Sequence, residues 1–207
     1  MHTQGQIGSK PTGRVSMNHG QALMMVLLAA ALSLIPFRLP AADESGSFRV
    51  TEISTEKGDE SFLLNARMEI KLNTGPKEAI ENGIPLVFEF QIQALEKHVW
   101  FWDIVVAEYK QVRQVQLHSL SRTYLVKDLS TGAQRSFIKL DDALQAAGFL
   151  HNFPVLDLDR MKDNQTYSVR LRGNLDIEAL PTPVRLLAYV SSAWDMDSEW
   201  YQWQLNR

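Results

Sequence analysis

From Ser61 to Leu72 the chain alternates. Phe62, Leu64, Ala66, Met68, Ile70 and Leu72 fall on one face, and Asn65, Arg67, Glu69 and Lys71 on the other. A period of two marks a strand with one face buried and one wet. "FRVTEI" precedes it, with "EKGD" between, so the two segments read as a hairpin. The same alternation returns in "IPLVFEFQIQA" through Ile84, Leu86, Phe88, Phe90 and Ile92. It is cleanest in "YSVRLRGNLDIEAL", where Tyr167, Val169, Leu171, Leu175 and Ile177 oppose Ser168, Arg170, Arg172, Asn174 and Asp176. This last segment is expected to be central. "VRQVQLHSLSRTYLVKDL" and "QRSFIKL", joined by "STGA", add two further strands.

Two stretches break the period. Thr74 is placed to cap "GPKEAIEN", with Pro76 in the first turn and Gly83 at the end. Asp141 is placed to cap "DALQAA", closed by Gly148. Leu180-Pro181-Thr182-Pro183 ends the last long strand. The apolar "VRLLAYV" after it is expected to pack across the core, and "EWYQWQL" to close one end as a strand or lid. Seven or eight short strands and two short helices predict a mainly β protein, an antiparallel β-sandwich. With no internal repeat, heptad or low-complexity linker, residues 43–207 are expected to form a single domain.

The N-terminal segment adds a compartment. Lys10, Arg14 and His19 precede the apolar run "ALMMVLLAAALSLIPF", residues 22–37, and "RLPAADESGS" follows. That order is the pattern of a secretory signal, with cleavage expected after Ala41 or Ala42. The alternative is an uncleaved anchor in the inner membrane through residues 22–37, and Met17 is a second possible start. Either way the remainder is expected to be exported, periplasmic or secreted. Residues 1–42 contain three cations, Lys10, Arg14 and Arg38, and no acid, so their removal shifts the formal charge of −3 to −6. Such a balance disfavours nucleic acid. The absence of cysteine leaves neither disulfides nor thiol chemistry.

The search for chemistry mostly excludes it. His98, His118 and His151 lack metal-ligand spacing. Asp195, Asp197 and Glu199 alternate as a calcium loop begins, but Trp200 stands where glycine is needed and Asn206 where glutamate is needed. There is no GxSxG, no SxxK and no Gly-rich phosphate cradle. Asp157 and Asp159 could share a strand face, but a glycosidase pair must flank a bond from two sides. "NQT" at Asn164 reads as a turn. No catalytic residue, cofactor or metal is therefore expected. What remains is aromatic. Trp100 and Trp102 are expected to share one strand face with Phe101 on the other, and Trp200 and Trp203 lie in the C-terminal "WDMDSEWYQWQL". These four tryptophans are the candidate binding residues, as core or as a stacking platform.

The run "LPTPVRLLAYVSSAWDMDSEWYQWQL" resembles the C-terminal signature of an exported proteobacterial family, domain-of-unknown-function family 4390. "ENGIPLVFEFQI", "VWFWD", "VRQVQLHSLSRTYLV" and "SFIKLDDALQAAG" are similar to its middle, and Glu199 departs from it where a small residue is expected. The resemblance implies export and genes lying beside a sensor kinase of the nitrogen-regulation type. It supplies no catalytic residues. The leading expectation is thus an exported, non-enzymatic protein-interaction module, accessory to a membrane sensor kinase. Its partner would be an envelope protein, with no nucleic acid and no membrane contact except an uncleaved N-terminal segment. The alternative is a carbohydrate- or peptidoglycan-binding module using Trp100, Trp102, Trp200 and Trp203. A third reading is a small enzyme with dispersed acids.

Overall fold

The computed structural model describes residues 46–98, 100 and 102–205, so the expected leader or anchor lies outside the described residues. These residues belong to one compact unit, Ala42–Arg207. It is mainly β, with two antiparallel sheets. The smaller has the order β1 (Ser47–Lys57), β2 (Ser61–Lys71), β7 (Phe149–Asp157). The larger runs β6 (Gln134–Phe137), β5 (Thr123–Asp128), β4 (Ile104–His118), β3 (Leu86–Glu96), β8 (Tyr167–Leu175), β9 (Tyr201–Gln204). Three α-helices join them: α1 (Thr74–Glu81), α2 (Leu140–Ala147) and α3 (Thr182–Val190).

The alternation in β2 becomes the inner face of the smaller sheet, with Phe62, Leu64, Ala66, Met68 and Ile70 all buried. Phe88, Phe90 and Ile92 of β3 and Val169 and Leu171 of β8 face them. Phe48 of β1 meets Phe88 and Phe90 edge-on at 6.0 and 6.4 Å, the arrangement aromatic quadrupoles prefer. Gly173 sits beneath this contact. A Cβ there would lie 2.6 Å from Met68 Sδ and 2.9 Å from Phe48 Cδ1, so the sheets close only because β8 has no side chain at that point. Helix α2 packs on β2 of the smaller sheet and on β4, β5 and β6 of the larger. Arg113 of β4 points inward and its Nη1 donates to the carbonyls of Ala146 and Ala147 at 3.0 Å and to Phe149, satisfying the end of α2.

Several expected details differ. "VRQVQLHSLSRTYLVKDL" is two strands, not one, because residues 119–122 turn and Arg122 takes φ 52°. Strand β7 was hidden by its own sequence: "FLHNFPVLD" lacks alternation and contains Pro154. Within the smaller sheet β7 pairs only with β2, and an edge strand tolerates a residue without an N–H. β8 lies between β3 and β9, one strand from the edge, and ends at Leu175 rather than Ile177. There the Asp176 carboxylate accepts the N–H of Glu178 and Ala179 and bends the chain into a 3-10 turn, Ile177–Ala179. The helix caps shift as well. Asn73, not Thr74, precedes α1, and its side chain accepts from Gly46 N and donates to Ala193 O at 2.8 Å instead of capping. Asp141 lies inside the first turn of α2, where its charge suits the helix dipole.

The largest departure is "VRLLAYV". It forms α3, a third helix, and does not cross the core. Only Ala188 is buried, while Leu186, Leu187, Tyr189 and Val190 are exposed. The C-terminal segment does join the core. Trp194, Met196 and Leu205 are buried, and the Trp194 indole lies 3.0 Å from where a Gly75 Cβ would be.

Candidate functional site

The four candidate tryptophans occupy three different environments. Trp100 and Trp102 lie in the loop joining β3 to β4, residues 97–103, and not in a strand. Pairing on both sides of β3 ends at Glu96, opposite Ile104 and Tyr167, so no neighbouring strand extends the alternation. Phe101, expected to oppose them, lies outside the described residues. Trp100 is 88% exposed and Trp102 87%, with Ile104 and Val105 also exposed at the start of β4.

The legs of this loop are fastened. Glu96 is buried at the end of β3, and both its oxygens accept from Lys162 Nζ at 3.1 and 3.2 Å. His98 Nε2 lies 3.3 Å from the same carboxylate. Lys97 N donates to Thr166 O at 2.8 Å, and Gln202 Nε2 reaches Asp103 Oδ2 at 3.5 Å. Two indoles are therefore held out to solvent on a base that is ordered from both sides. Ordering before contact lowers the entropy cost of binding.

Trp200 is elsewhere, on the outer face of the larger sheet. Arg170 Cζ lies 4.4 Å and Arg172 Cζ 4.6 Å from the centre of its ring. Each arginine is aimed by a glutamine of β3: Arg170 Nε donates to Gln93 Oε1 at 2.7 Å and Arg172 Nε to Gln91 Oε1 at 2.8 Å. The glutamines donate in turn to carboxylates, Gln93 to Glu108 at 2.9 Å and Gln91 to Glu89 at 2.7 Å. Lys110 completes the row with an ion pair to Glu89 at 2.5 Å. Burial pushes the Glu89 carboxyl up, but the hydrogen bonds from Lys110 and Gln91 and the charges of Lys110 and Arg172 outweigh it and leave it below the usual range. Glu89 is thus an anion with its lone pairs engaged, poorly suited to proton transfer. This row clamps Trp200 in place.

Trp203 is partly buried against the core, beside Tyr201 at 6.2 Å. It pairs with Val169 across β9 and β8, so it lies on the inner face, whereas Trp200 lies on the outer one. No single surface collects the four rings.

The other candidate groups are dispersed. His118 Nδ1 lies 3.0 Å from Ser121 Oγ and His151 Nδ1 2.8 Å from Asn65 Oδ1. Among the described residues no group of three His, Asp or Glu side chains is arranged to hold a metal ion. Asp157 ends β7 and pairs with Arg160 at 3.3 Å, and Asp159 is in the following 3-10 turn. Asn164 takes φ 62° in a turn, as its sequence suggested. Asp195 and Asp197 line a cavity of about 540 Å³ together with Asp176, Glu178 and Tyr189. Asp176 is engaged by backbone N–H groups, and Glu178 by Arg185 and Tyr189. Burial, and then the charge of Asp195, raise the pKa of Asp197 against the pull of Arg172.

The arginine clamp and the exposed face of α3 were missed by sequence reasoning. For α3 a signal existed: Pro183, Leu186, Leu187 and Val190 follow the i, i+3, i+4, i+7 spacing of a helix stripe. For the clamp there was none, because Trp200 is 28 positions or more from the arginines it meets.

The arrangement defines a two-sheet antiparallel β domain that displays an apolar hairpin tip and packs its other described tryptophans. The chain belongs to the family described as Domain of unknown function (DUF4390), whose model matches residues 45–204. No curated protein and no solved structure is significantly similar to it.

Proposed function

We propose that this chain is an exported, non-enzymatic protein-interaction domain that offers the β3–β4 hairpin tip to a protein partner in the cell envelope. The observation that carries the reading is the near-complete exposure of Trp100 and Trp102 on a loop whose base is fastened by Glu96, Lys97 and Asp103. Tryptophan is among the residues enriched at binding hot spots, where loss of one side chain costs about 2 kcal/mol or more. The family resemblance makes the extracytoplasmic part of a membrane sensor kinase the first partner to try. A carbohydrate platform is less well supported, because Trp200 stacks on arginines and Trp203 packs against the core, so only two fully exposed rings remain for it.

The test is affinity capture from envelope extract with the full chain and with the Trp100→Ser/Trp102→Ser variant as bait. A specific protein captured by the first and lost from the second supports the reading. Binding to purified peptidoglycan, lost in the same variant and unaccompanied by any protein, would overturn it in favour of the sugar-binding alternative.

A further inference from the structure

Helix α3 has no polar face. Its one charge, Arg185, is turned back into the domain, where Nε and Nη2 donate to Leu180 O at 3.1 and 2.9 Å and Nη1 pairs with Glu178 at 3.7 Å. Tyr189 OH likewise donates to Glu178. Val184 and Ala188 face inward. The opposite stripe, Pro183, Leu186, Leu187 and Val190, is open to solvent, with Val190 83% exposed. A helix apolar all round is normally covered. This one is not covered by any described residue.

Its position narrows what could cover it. The domain begins at Gly46, whose N–H is held by Asn73 Oδ1, while Asn73 Nδ2 holds Ala193 O, three residues beyond the end of α3. The start of the domain and the exposed helix therefore share one end of the molecule. The apolar run of residues 22–37 precedes this point by only residues 38–46. Nine residues reach at most about 30 Å. A chain held in a bilayer by that run keeps α3 within tether distance of the lipid surface. The tryptophan tip lies at the far end of β3, eleven residues away, or roughly 35 Å.

We infer that α3 is a lipid-contacting surface: it lies flat in the headgroup region beside the membrane tether, with Leu186, Leu187 and Val190 toward the acyl boundary. At nine residues it spans roughly 13 Å and cannot cross a bilayer. Short apolar faces of this kind sink about 5–10 Å into the interface, and a tyrosine ring suits the same depth. Protein association at the tip is a separate matter, since the two surfaces occupy opposite ends of β3.

The chain has no cysteine, so a single introduced one carries a fluorophore without a background. The full, uncleaved chain bearing Val190→Cys or Trp100→Cys is labelled and reconstituted into phosphatidylcholine vesicles with or without shallow nitroxide lipids. Several-fold quenching at position 190 with none at position 100 is expected. The added changes Leu186→Ser and Leu187→Ser should abolish it without altering the melt. Four results would overturn the inference. One is a label at position 190 that nitroxide lipid leaves bright and aqueous iodide quenches. Another is a label shielded from both, which would mean a protein surface such as a second copy. The third is quenching at position 100 instead. A chain that fails to float with the vesicles lacks the tether and counts against it equally.

Discussion

Two stretches of this chain are rich in tryptophan, and the fold treats them oppositely. "HVWFWDIVV" ends as a hairpin tip with Trp100 and Trp102 in solvent. "WDMDSEWYQWQL" is taken in: Trp194 enters the core, Trp203 packs against it, and Trp200 stacks on the two arginines of β8. Composition does not separate them. The difference is what lies opposite. The C-terminal segment runs back along β8, an otherwise unpaired edge, and finds a sheet to extend and two guanidinium groups to stack on. The hairpin loop begins where β3 has lost both partners, so no described strand is available to cover its rings. An aromatic residue is buried by the layer above it, and its own hydrophobicity does not supply that layer.

Deleting residues 194–207 is the severest test of this contrast. It removes Trp194, Met196, Trp203 and Leu205 from the core. Each fully buried aromatic is worth about 3–5 kcal/mol on truncation, against ~5–15 kcal/mol for a whole domain. Calorimetry is expected to show no cooperative transition, and an unchanged melt would make the segment as dispensable as the tip. Leu171→Ala comes next. Leu171 is buried on β8 opposite Tyr201, and its urea midpoint should report a loss of roughly 2–5 kcal/mol.

Glu89→Gln probes the clamp from its far end and should cost about 1–3 kcal/mol at neutral pH, as a buried hydrogen-bonded charge is lost. The sign of its pH dependence is fixed. The folded-state pKa is lowered, so the stabilisation is complete above the unfolded-state value and fades as pH falls through the folded one. The difference between wild type and variant should therefore narrow under acid, and a difference that widened would contradict the ion pair with Lys110. Arg170→Ala removes the bond to Gln93 and one side of the stack on Trp200, at a cost of about 1 kcal/mol. On alternation alone Arg170 is an outward, dispensable side chain. Smallest of all, Trp100→Ser/Trp102→Ser should shift stability by less than about 0.5 kcal/mol while removing partner capture. A large loss of stability would show that the tip is packed and would erase the contrast.

Much of the fold was legible because burial in a sheet repeats every two residues. The inner faces of β2, β3 and β8 could be read directly from the sequence, and Phe62 through Ile70 are buried as their spacing requires. Where the period failed, so did the reading. β7 carries Pro154 and no alternation, and it is a strand only because β2 offers an edge. "VRLLAYV" is apolar and was placed inside on that ground, but its inward side needs only Val184 and Ala188. The remainder of the helix faces out. For the candidate site, the alternation that was to place Trp100 and Trp102 on one strand face fails, because both lie in the loop after β3. Trp200 and Trp203 were grouped with them by type alone.

The sequence by itself determined what is periodic and local: β strands with one apolar face, the turn at Asn164 and the hairpin at residues 58–60. These follow from side-chain direction and backbone conformation, which act over a few residues. Only the tertiary structure decided which aromatic rings are covered. It set Trp200 against Arg170 and Arg172, left Trp100 and Trp102 bare, and placed α3 beside the start of the domain. Those outcomes depend on which strand end meets which segment across 25 or more positions of chain, as Gly173 meets Ser198. No local pattern encodes such a meeting, because its free energy comes from surfaces that exist only once both sheets are built.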